Sequence, residues 1–229
     1  MTETGDGEGV AVTPEALART AVERSNLYGF LASVFREEVS AGLLKSIKEP
    51  EFLGALSESG VDIETDFLDR PEEQVLEDLA IEYKALFLGP GGHVSPYESA
   101  QIEGGSGLLW GPETIAVKRY IETAGFHYKP DYHGLPDHIG VELEFMAELA
   151  GKEAAAWRDG DVAKASNCLQ FEHEFLADHL GAWAPAFCRQ TTERAELSFY
   201  RDVARLTADF LAAEKLEIEE RQKICAQKE

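Results

Sequence analysis

The chain has 229 residues, with 21 Lys and Arg against 43 Asp and Glu, which gives a formal net charge of −22. Binding to nucleic-acid phosphates or to anionic lipid requires clustered basic residues, so this charge argues against both kinds of partner. No stretch approaches the roughly 18 unbroken apolar residues of a membrane-spanning helix. The few, widely spaced cysteines are typical of reduced thiols. We therefore predict a cytoplasmic protein with no nucleic-acid partner and no direct membrane insertion.

Hydrophobic residues recur at helical spacing along almost the whole sequence. Residues 1–12 are acidic and rich in glycine, and they are predicted to be disordered. Thr13 and Pro14 are typical of an N-cap followed by proline in the first helical turn, so a first helix is expected to begin there. Pro50 and Pro71 predict two further helix starts in the same way.

A long glycine-rich loop is predicted between Leu88 and Gly107, because its glycines and prolines do not fit a regular helix. Loops of this length in compact domains are often functional. Helices are predicted again from Pro112 to Gly125, from Asp137 to Arg158 and from Asp161 to His179. A last long helix follows them.

These elements predict an all-α fold, since the sequence shows neither β-alternation nor internal repeats. Residues 13–212 are expected to form a single helical domain of about seven to nine helices, packed like a bundle. Residues 213–229 are strongly charged, and we predict that they form a solvated helical C-terminal tail.

One set of side chains could form a metal or small-molecule site. His138 and Glu142 lie four residues apart on a predicted helix and can share a face, and His133 is near them in the sequence. The Glu-x-x-His pairs of di-iron bundles and the Gly-x-Ser-x-Gly motif of hydrolases are absent from the sequence. We predict no catalytic residue, no metal and no cofactor. A metal- or small-molecule-binding protein that uses His133, His138 and Glu142 is the alternative.

Three local patterns follow one another along the chain. A helix ends in a glycine–proline pair, the loop contains Pro-Tyr-Glu-Ser, and a later helix begins with Pro-Asp-His. Their residues are Glu82, Tyr83, Leu86, Phe87, Gly89, Pro90, Pro96, Tyr97, Glu98, Ser99, Pro136, Asp137, His138, Glu142, Leu143, Phe145, Met146 and Leu149. In this order they resemble the TorD/DmsD branch of the redox-enzyme maturation proteins, over about residues 15–212. The stretch from Phe175 to Phe187 also looks like a late helix pair of that family.

The resemblance implies a cytoplasmic, all-helical chaperone that is not an enzyme and that works as a monomer or homodimer. Such chaperones bind the twin-arginine signal peptide of the catalytic subunit of a molybdopterin oxidoreductase, and hold it for cofactor insertion before export. The implied peptide-binding residues are Tyr97, Glu98, Ser99, Pro136, Asp137 and His138, with Tyr28, Leu86, Phe87, Trp110 and Glu142 as further candidates. A helical scaffold without a signal-peptide role is a third interpretation.

Several of these residues also have a possible structural role. Asp137 in the first turn of a helix can accept hydrogen bonds from free backbone N–H groups, and His138 beside the positive end of the helix dipole should stay neutral. Glu82 and Tyr83 are expected to pin their helix to the glycine-rich loop rather than contact a ligand. Between Glu58 and Glu82 the sequence has ten acids and one base, which suits capture of an arginine-bearing peptide.

Overall fold

The computed structural model describes residues 13–61, 67, 69–89, 92–102, 108–128 and 134–226. Within these ranges the chain folds into helices joined by loops, and the all-α, single-domain prediction is confirmed. None of the helices described is long and apolar enough to cross a membrane. The predicted disordered head, residues 1–12, lies outside the described residues. The helices are α1 (Pro14–Arg36), α2 (Ala41–Ile47), α3 (Pro50–Glu58), α4 (Glu72–Tyr83), π1 (Lys84–Leu88), α5 (Glu98–Gln101), α6 (Pro112–Thr123), α7 (Ile139–Asp159), α8 (Val162–Phe175), π2 (Leu176–Leu180), α9 (Gly181–Arg194) and α10 (Ser198–Ala226).

The helix ends follow the capping signals of the sequence. Thr13 Oγ1 accepts a hydrogen bond from the Ala16 N–H at 3.2 Å at the start of α1. Asp161 caps α8 in the same way. Gly125 follows the end of α6 with a φ of +82°, and Gly160 ends α7 with a φ of +71°. Glycine adopts this left-handed conformation without a Cβ clash, so both residues terminate their helices at low cost.

Helix α7 is the centre of the fold, since α1 packs along it on one side and α8 on another. Leu143 and Met146 of α7 are fully buried. Phe35 of α1 meets Phe87 and Phe187 edge-on, with ring centroids 6.1 Å and 5.3 Å away. These aromatic contacts join α1, π1 and α9 into one hydrophobic core.

Two single-turn π-helices extend α4 and α8, and such turns are frequent at functional sites. In π1, the Leu86 carbonyl accepts a hydrogen bond from the Val94 N–H at 2.7 Å. This bond fastens the glycine-rich loop to the end of α4. The second π-helix contains His179, whose ring lies beside Glu98 in the predicted glycine-rich loop.

The charged end of the chain is helical, as expected, but it is not solvated on all sides. Helix α10 continues without a break to Ala226, and Ile218 and Cys225 are fully buried. They pack with Leu17 and Trp157 in a second hydrophobic cluster. The predicted solvated tail is therefore wrong for residues 213–226. One face of this helix is buried because its inward residues recur every three or four positions among the charged ones.

A buried ionic cluster joins four helices at this end of the molecule. Arg24 of α1 is 4% exposed and bonds Glu153 of α7 at 2.6 Å, Glu214 of α10 at 2.7 Å, and Glu172 of α8. Glu214 also pairs with Arg221 at 3.0 Å. Three buried carboxyl groups thus surround two guanidinium groups, which leaves one negative charge in excess among the buried groups if every acid is ionised. The exposed Glu217 also pairs with Arg221, at 2.6 Å.

Burial makes this excess charge costly, and it acts differently on the members of the cluster. Burial raises the pKa of Glu172 to about 7, and the charge of Arg24 offsets only part of that rise. Burial also acts to raise the pKa of Glu214, but attraction and hydrogen bonding from Arg24 outweigh it and lower the pKa. One proton therefore stays on Glu172 at mildly acidic pH while Glu214 remains ionised.

We expect Glu172 to make the protein less stable as pH rises from about 4.5 to about 7. Over that interval the folded carboxyl keeps a proton that the unfolded chain, with a pKa near 4.5, has released. Above about pH 7 the contribution of Glu172 to the free energy of unfolding should no longer change with pH. Glu172→Gln should remove this part of the slope, up to about 1.4 kcal/mol per pH unit.

Chemical denaturation at several pH values between about 5 and 8 measures this slope. Glu220→Gln is the matched control, since its carboxylate is exposed and its one ion pair among the described residues is with Lys223. Parallel pH profiles for the wild type and Glu172→Gln would contradict a proton held by Glu172.

Candidate functional site

Two of the three sequence patterns meet in space through the backbone. The Glu98 N–H donates to the Asp137 carbonyl, and the Ile139 N–H donates to the Pro96 carbonyl, both at 2.9 Å. These two bonds form an isolated antiparallel bridge between Tyr97 and His138. The Tyr97 and His138 rings stand edge to face with centroids 5.1 Å apart. The structure thus brings together two motifs that are about forty residues apart in the sequence.

The bridge reassigns the capping roles at the start of α7. Extended backbone at His138, with φ −79° and ψ 134°, is needed for the bridge, so α7 begins at Ile139 and not at Asp137. His138 Nδ1 is the cap and accepts from the Gly140 N–H at 3.0 Å. Asp137 Oδ2 instead accepts from the Ser99 N–H at 3.1 Å in the first turn of α5. The prediction that Asp137 lies in the first turn of this helix is therefore wrong, and Asp137 caps the neighbouring short helix.

His138 is neutral at physiological pH. Burial lowers the pKa of its imidazole to about 4, and the nearby charge of Arg36 lowers it further than Asp137 raises it. The expected neutral form is thus confirmed, with burial as its main cause. Because Nδ1 accepts a hydrogen bond, the ring hydrogen lies on Nε2. His138 remains partly exposed, so this N–H can donate to a ligand.

Two buried carboxyl groups, those of Glu98 and Glu142, lie beneath the surface next to the bridge. Glu98 is 2% exposed and Glu142 is fully buried. His179 Nδ1 lies 3.2 Å from both Glu98 oxygens, and the Trp183 Nε1–H donates to Glu142 at 3.0 Å. Burial, and then the neighbouring Glu98, raise the pKa of Glu142 well above its usual range. Glu142 is therefore a neutral carboxylic acid that can hydrogen bond to the Glu98 carboxylate.

Three buried oxygen atoms around this pair have no hydrogen-bond partner in the described part of the chain: Ser99 Oγ, Asp137 Oδ1 and Glu142 Oε1. A proton on the Glu142 carboxyl accounts for one of them, because it turns an acceptor into a donor. Among the residues described, no group of three His, Cys, Asp or Glu could hold a metal ion. His133 of the alternative metal site lies outside those residues. His138 Nδ1 and the Glu142 carboxyl are engaged by Gly140 and Trp183.

Trp183→Phe is expected to destabilise the protein by about 1–3 kcal/mol, because it leaves the buried Glu142 carboxyl without its N–H donor. Urea denaturation followed by far-UV circular dichroism measures the loss. Trp110→Phe is the control, since Trp110 is 60% exposed and its change should stay within about 0.5 kcal/mol. Equal losses for the two variants would show that the Glu142 bond contributes nothing specific.

The other predicted site residues are not all beside the bridge. Pro136 is buried directly before it. Tyr28 is fully buried and donates to Glu214 at 3.2 Å in the ionic cluster. Leu86 and Phe87 are buried in the core, where Phe87 stacks on Phe187 at 5.7 Å. Trp110 is exposed beside α6 with a φ of +64°, an unusual conformation for a bulky residue. Tyr28, Leu86 and Phe87 therefore support the fold around the site.

Glu82 and Tyr83 anchor their helix, but their partners lie at other helices and not in the loop as predicted. Glu82 accepts from the backbone N–H groups of Glu196 and Leu197 at the start of α10, and Tyr83 donates to the Phe35 carbonyl at 3.0 Å. Each fixes the end of α4 to another helix of the core.

Sequence reasoning missed the contributions of His179, Trp183 and Arg36. His179 and Trp183 lie four residues apart in the stretch that looks like the family's late helix pair, so the pattern marked them but assigned no partner. Nothing in the sequence marks Arg36 as part of the site, because a single arginine at the end of a helix is common.

Comparison with known proteins agrees with this architecture. The family model described as nitrate reductase delta subunit matches residues 49–189. The chaperone protein TorD of Vibrio cholerae is 27% identical over 206 residues, covering 84% of this chain and 90% of that protein. The chlorate reductase assembly chaperone protein of Ideonella dechloratans is 37% identical over 128 residues, covering 54% and 62%. A solved structure named for redox enzyme maturation, from Archaeoglobus fulgidus, has the same fold, with a TM-score of 0.53, 21% identity, and coverage of 82% and 93%.

The family model matches more than half of this chain, so the chain belongs to the nitrate reductase delta subunit family. The resemblance to TorD-type redox-enzyme maturation chaperones is thereby confirmed.

Proposed function

We propose that this protein is a cytoplasmic chaperone that binds the twin-arginine signal peptide of an immature molybdopterin oxidoreductase catalytic subunit. It holds the subunit for cofactor insertion before export. The observation that supports this most is the Tyr97–His138 bridge, which joins the two motifs implied by the family resemblance. The relatives named as chaperones support a binding role and not an enzymatic one.

The exposed parts of the bridge suit a peptide ligand. The His138 Nε2–H can donate to a peptide carbonyl, and the Tyr97 ring offers a partly exposed apolar face beside it. Glu98, Ser99, Asp137 and Glu142 are buried, which supports a role in holding the bridge in place more than direct contact with the peptide. No covalent chemistry is needed for this role.

Simple energetics divide the work between apolar and charged groups. A micromolar complex needs about 8 kcal/mol. An exposed ion pair contributes about 0.2–1 kcal/mol, whereas burying a Leu-sized side chain contributes about 1.5–3 kcal/mol. The apolar stretch of the signal peptide should therefore supply most of the affinity, and the net charge of −22 should speed association with its arginines.

Calorimetric titration with the signal peptide of a molybdoenzyme encoded beside this protein tests the proposal. We expect saturable binding with a micromolar dissociation constant. If circular dichroism shows that the sample is folded and titration at tens of micromolar protein gives no heat change, the proposal is wrong.

His138→Asn is expected to weaken peptide binding roughly threefold to tenfold, the value of one neutral hydrogen bond. Asparagine is a good N-cap, so the start of α7 should be retained while the Nε2–H donor is lost. Thermal unfolding should consequently change little. A variant that loses stability yet binds the peptide like wild type would show that His138 serves only the helix start.

A further inference from the structure

A groove of about 440 Å³ lies between the end of α4, continued by π1, and the segment that joins α9 to α10. Ile81, Ala85 and Leu86 line it on one side, and Leu197 lines it on the other. Ile81 is 61% exposed, and Leu88 at the end of π1 is 62% exposed. Grouped apolar side chains that remain exposed to water mark a surface for a partner. The groove therefore suits an apolar segment of another molecule.

The charges of the groove wall cancel, so its middle is apolar and close to neutral. Asp78 pairs with Arg70 at 2.5 Å. Burial raises the pKa of Glu82, and the nearby charge of Arg201 offsets part of that rise. The two remaining charged residues of the wall have opposite signs, and they are Arg194 and Glu196.

An excess of negative charge lies beyond one end of the groove, in the first two turns of α4. Glu72, Glu73 and Glu77 are exposed and have no ion-pair or hydrogen-bond partner among the described residues. The helix dipole stabilises the first two of them, but Glu77 lies beyond the first turn, where that effect has faded. All three belong to the run of ten acids and one base between Glu58 and Glu82. This end of the groove therefore attracts cationic groups.

Acidic and apolar residues follow one another along a single row of α4. Residues four apart on a helix are neighbours, so Glu73, Glu77, Ile81 and Ala85 form one row on its surface. Leu88 lies about one turn further, at the end of π1. The row is roughly 20 Å long at about 1.5 Å per residue, which about six residues of an extended peptide would span. It is acidic at its amino end and apolar at its carboxyl end.

The apolar end of the groove lies against the loop that forms the bridge. Leu86 lines the groove, and its carbonyl accepts the hydrogen bond from the Val94 N–H. Pro96, two residues further along the loop, supplies a carbonyl to the bridge. On the other wall, Arg194 Nη1 would stand 3.6 Å from a Cβ added at Gly92 of the same loop. A segment that leaves the groove at this end consequently meets the loop.

From this arrangement, and resting on the function proposed above, we infer that the groove binds the apolar stretch of the signal peptide, with the two arginines beside Glu73 and Glu77. The arginines of such a peptide precede its apolar stretch, so the peptide runs parallel to α4. The residues after the apolar stretch then approach the bridge. A second copy of this chain fits the groove less well, because a stable dimer buries about 800 Å² on each partner, far more than these few apolar side chains supply.

The groove is tested by calorimetric titration of Ile81→Ser with the signal peptide of a molybdoenzyme encoded beside this protein. We expect the affinity to fall about tenfold, since a partly buried isoleucine contact is lost. Leu216→Ser is the matched control, because Leu216 is 73% exposed on α10 and does not line the groove. The control should bind like the wild type. Both side chains are exposed, so circular dichroism should show both variants folded.

Three other outcomes overturn the inference, and they are distinguishable. If the wild type binds the peptide and Ile81→Ser binds it equally well, the apolar stretch docks elsewhere while the proposed function stands. If Ile81→Ser binds normally but loses self-association in gel filtration, the groove serves a second copy of the chain. If the folded wild type binds no signal peptide, the proposed function fails together with the inference.

The direction of the peptide is tested by thiol exchange. The native cysteines Cys168, Cys188 and Cys225 are buried, so a cysteine introduced on the surface is the accessible thiol. Glu77→Cys and Leu88→Cys are each mixed with signal peptides that carry a thiopyridyl disulfide beside the arginines or at the far end of the apolar stretch. The protein thiolate attacks this disulfide, forms a mixed disulfide with the peptide and releases thiopyridone, which is measured by its absorbance.

Glu77→Cys should react several times faster with the peptide labelled beside the arginines, and Leu88→Cys with the peptide labelled at the far end. The opposite preference would show that the peptide runs antiparallel to α4. Equal rates for all four combinations would show that the peptide does not lie along this groove.

Discussion

Arg24→Met is expected to lower the free energy of unfolding by about 3–5 kcal/mol. Arg24 compensates the charges of Glu153, Glu172 and Glu214 in a region where none of the three is more than 2% exposed. Methionine matches the length of the stem but removes every donor, so the carboxylates face one another with Arg221 as their remaining buried cation. Urea denaturation at neutral pH measures the loss.

Arg205→Met is the control for this prediction. Arg205 pairs with Asp202 at 3.3 Å and its side chain is 59% exposed, so its loss should cost at most about 1 kcal/mol. The Arg24→Met variant should also recover part of its stability in mild acid, since protonation relieves the repulsion among the three carboxylates. A loss below about 1 kcal/mol for Arg24→Met would show that the cluster does not depend on its central charge.

Ile218→Ala is expected to cost about 2–5 kcal/mol, because Ile218 is fully buried in the cluster formed with Leu17, Trp157 and Leu169. Leu216→Ala, two residues away on the same helix, should change stability by less than about 0.5 kcal/mol, since Leu216 is 73% exposed. Both variants remove aliphatic carbons in the same charged segment, so only burial distinguishes them. Thermal and urea unfolding compare them directly.

Equal and small effects of these two substitutions would mean that the end of α10 is not packed in solution, as the original expectation of a solvated tail requires. A large effect confined to Ile218 would show that the folded domain includes the charged end of α10.

The helices were predictable wherever a local signal sufficed. Thr13 as a cap, Pro112 at a helix start and Gly125 after a helix end each act through their own backbone neighbours, so no knowledge of the fold is needed. Helix α7 begins two residues later than predicted, because Asp137 and His138 take part in a contact with residues distant in the sequence. Their backbone pairs with the loop, and that pairing competes with the helix.

Buried charge was the least predictable feature. Sequence patterns treat glutamate and arginine as surface residues, yet Arg24, Glu142 and Glu172 are at most 4% exposed. Each is tolerated only because a partner from another helix neutralises it or because it holds a proton. Such partners cannot be read from spacing along one helix. The meeting of the Pro-Tyr-Glu-Ser and Pro-Asp-His motifs was, in contrast, foreseeable from the family resemblance, although its backbone geometry was not.

The Tyr97–His138 bridge has a consequence for how this surface can change over evolution. Its two hydrogen bonds are made by the main chain of Pro96, Glu98, Asp137 and Ile139, so they do not depend on which side chains stand at positions 97 and 138. Substitutions at position 97, or at position 138 by another residue that can cap α7, would alter the chemistry offered to a ligand while leaving the backbone in place. Descendants of one ancestral gene could in this way acquire different client proteins by a few exchanges, without redesigning the fold that presents them.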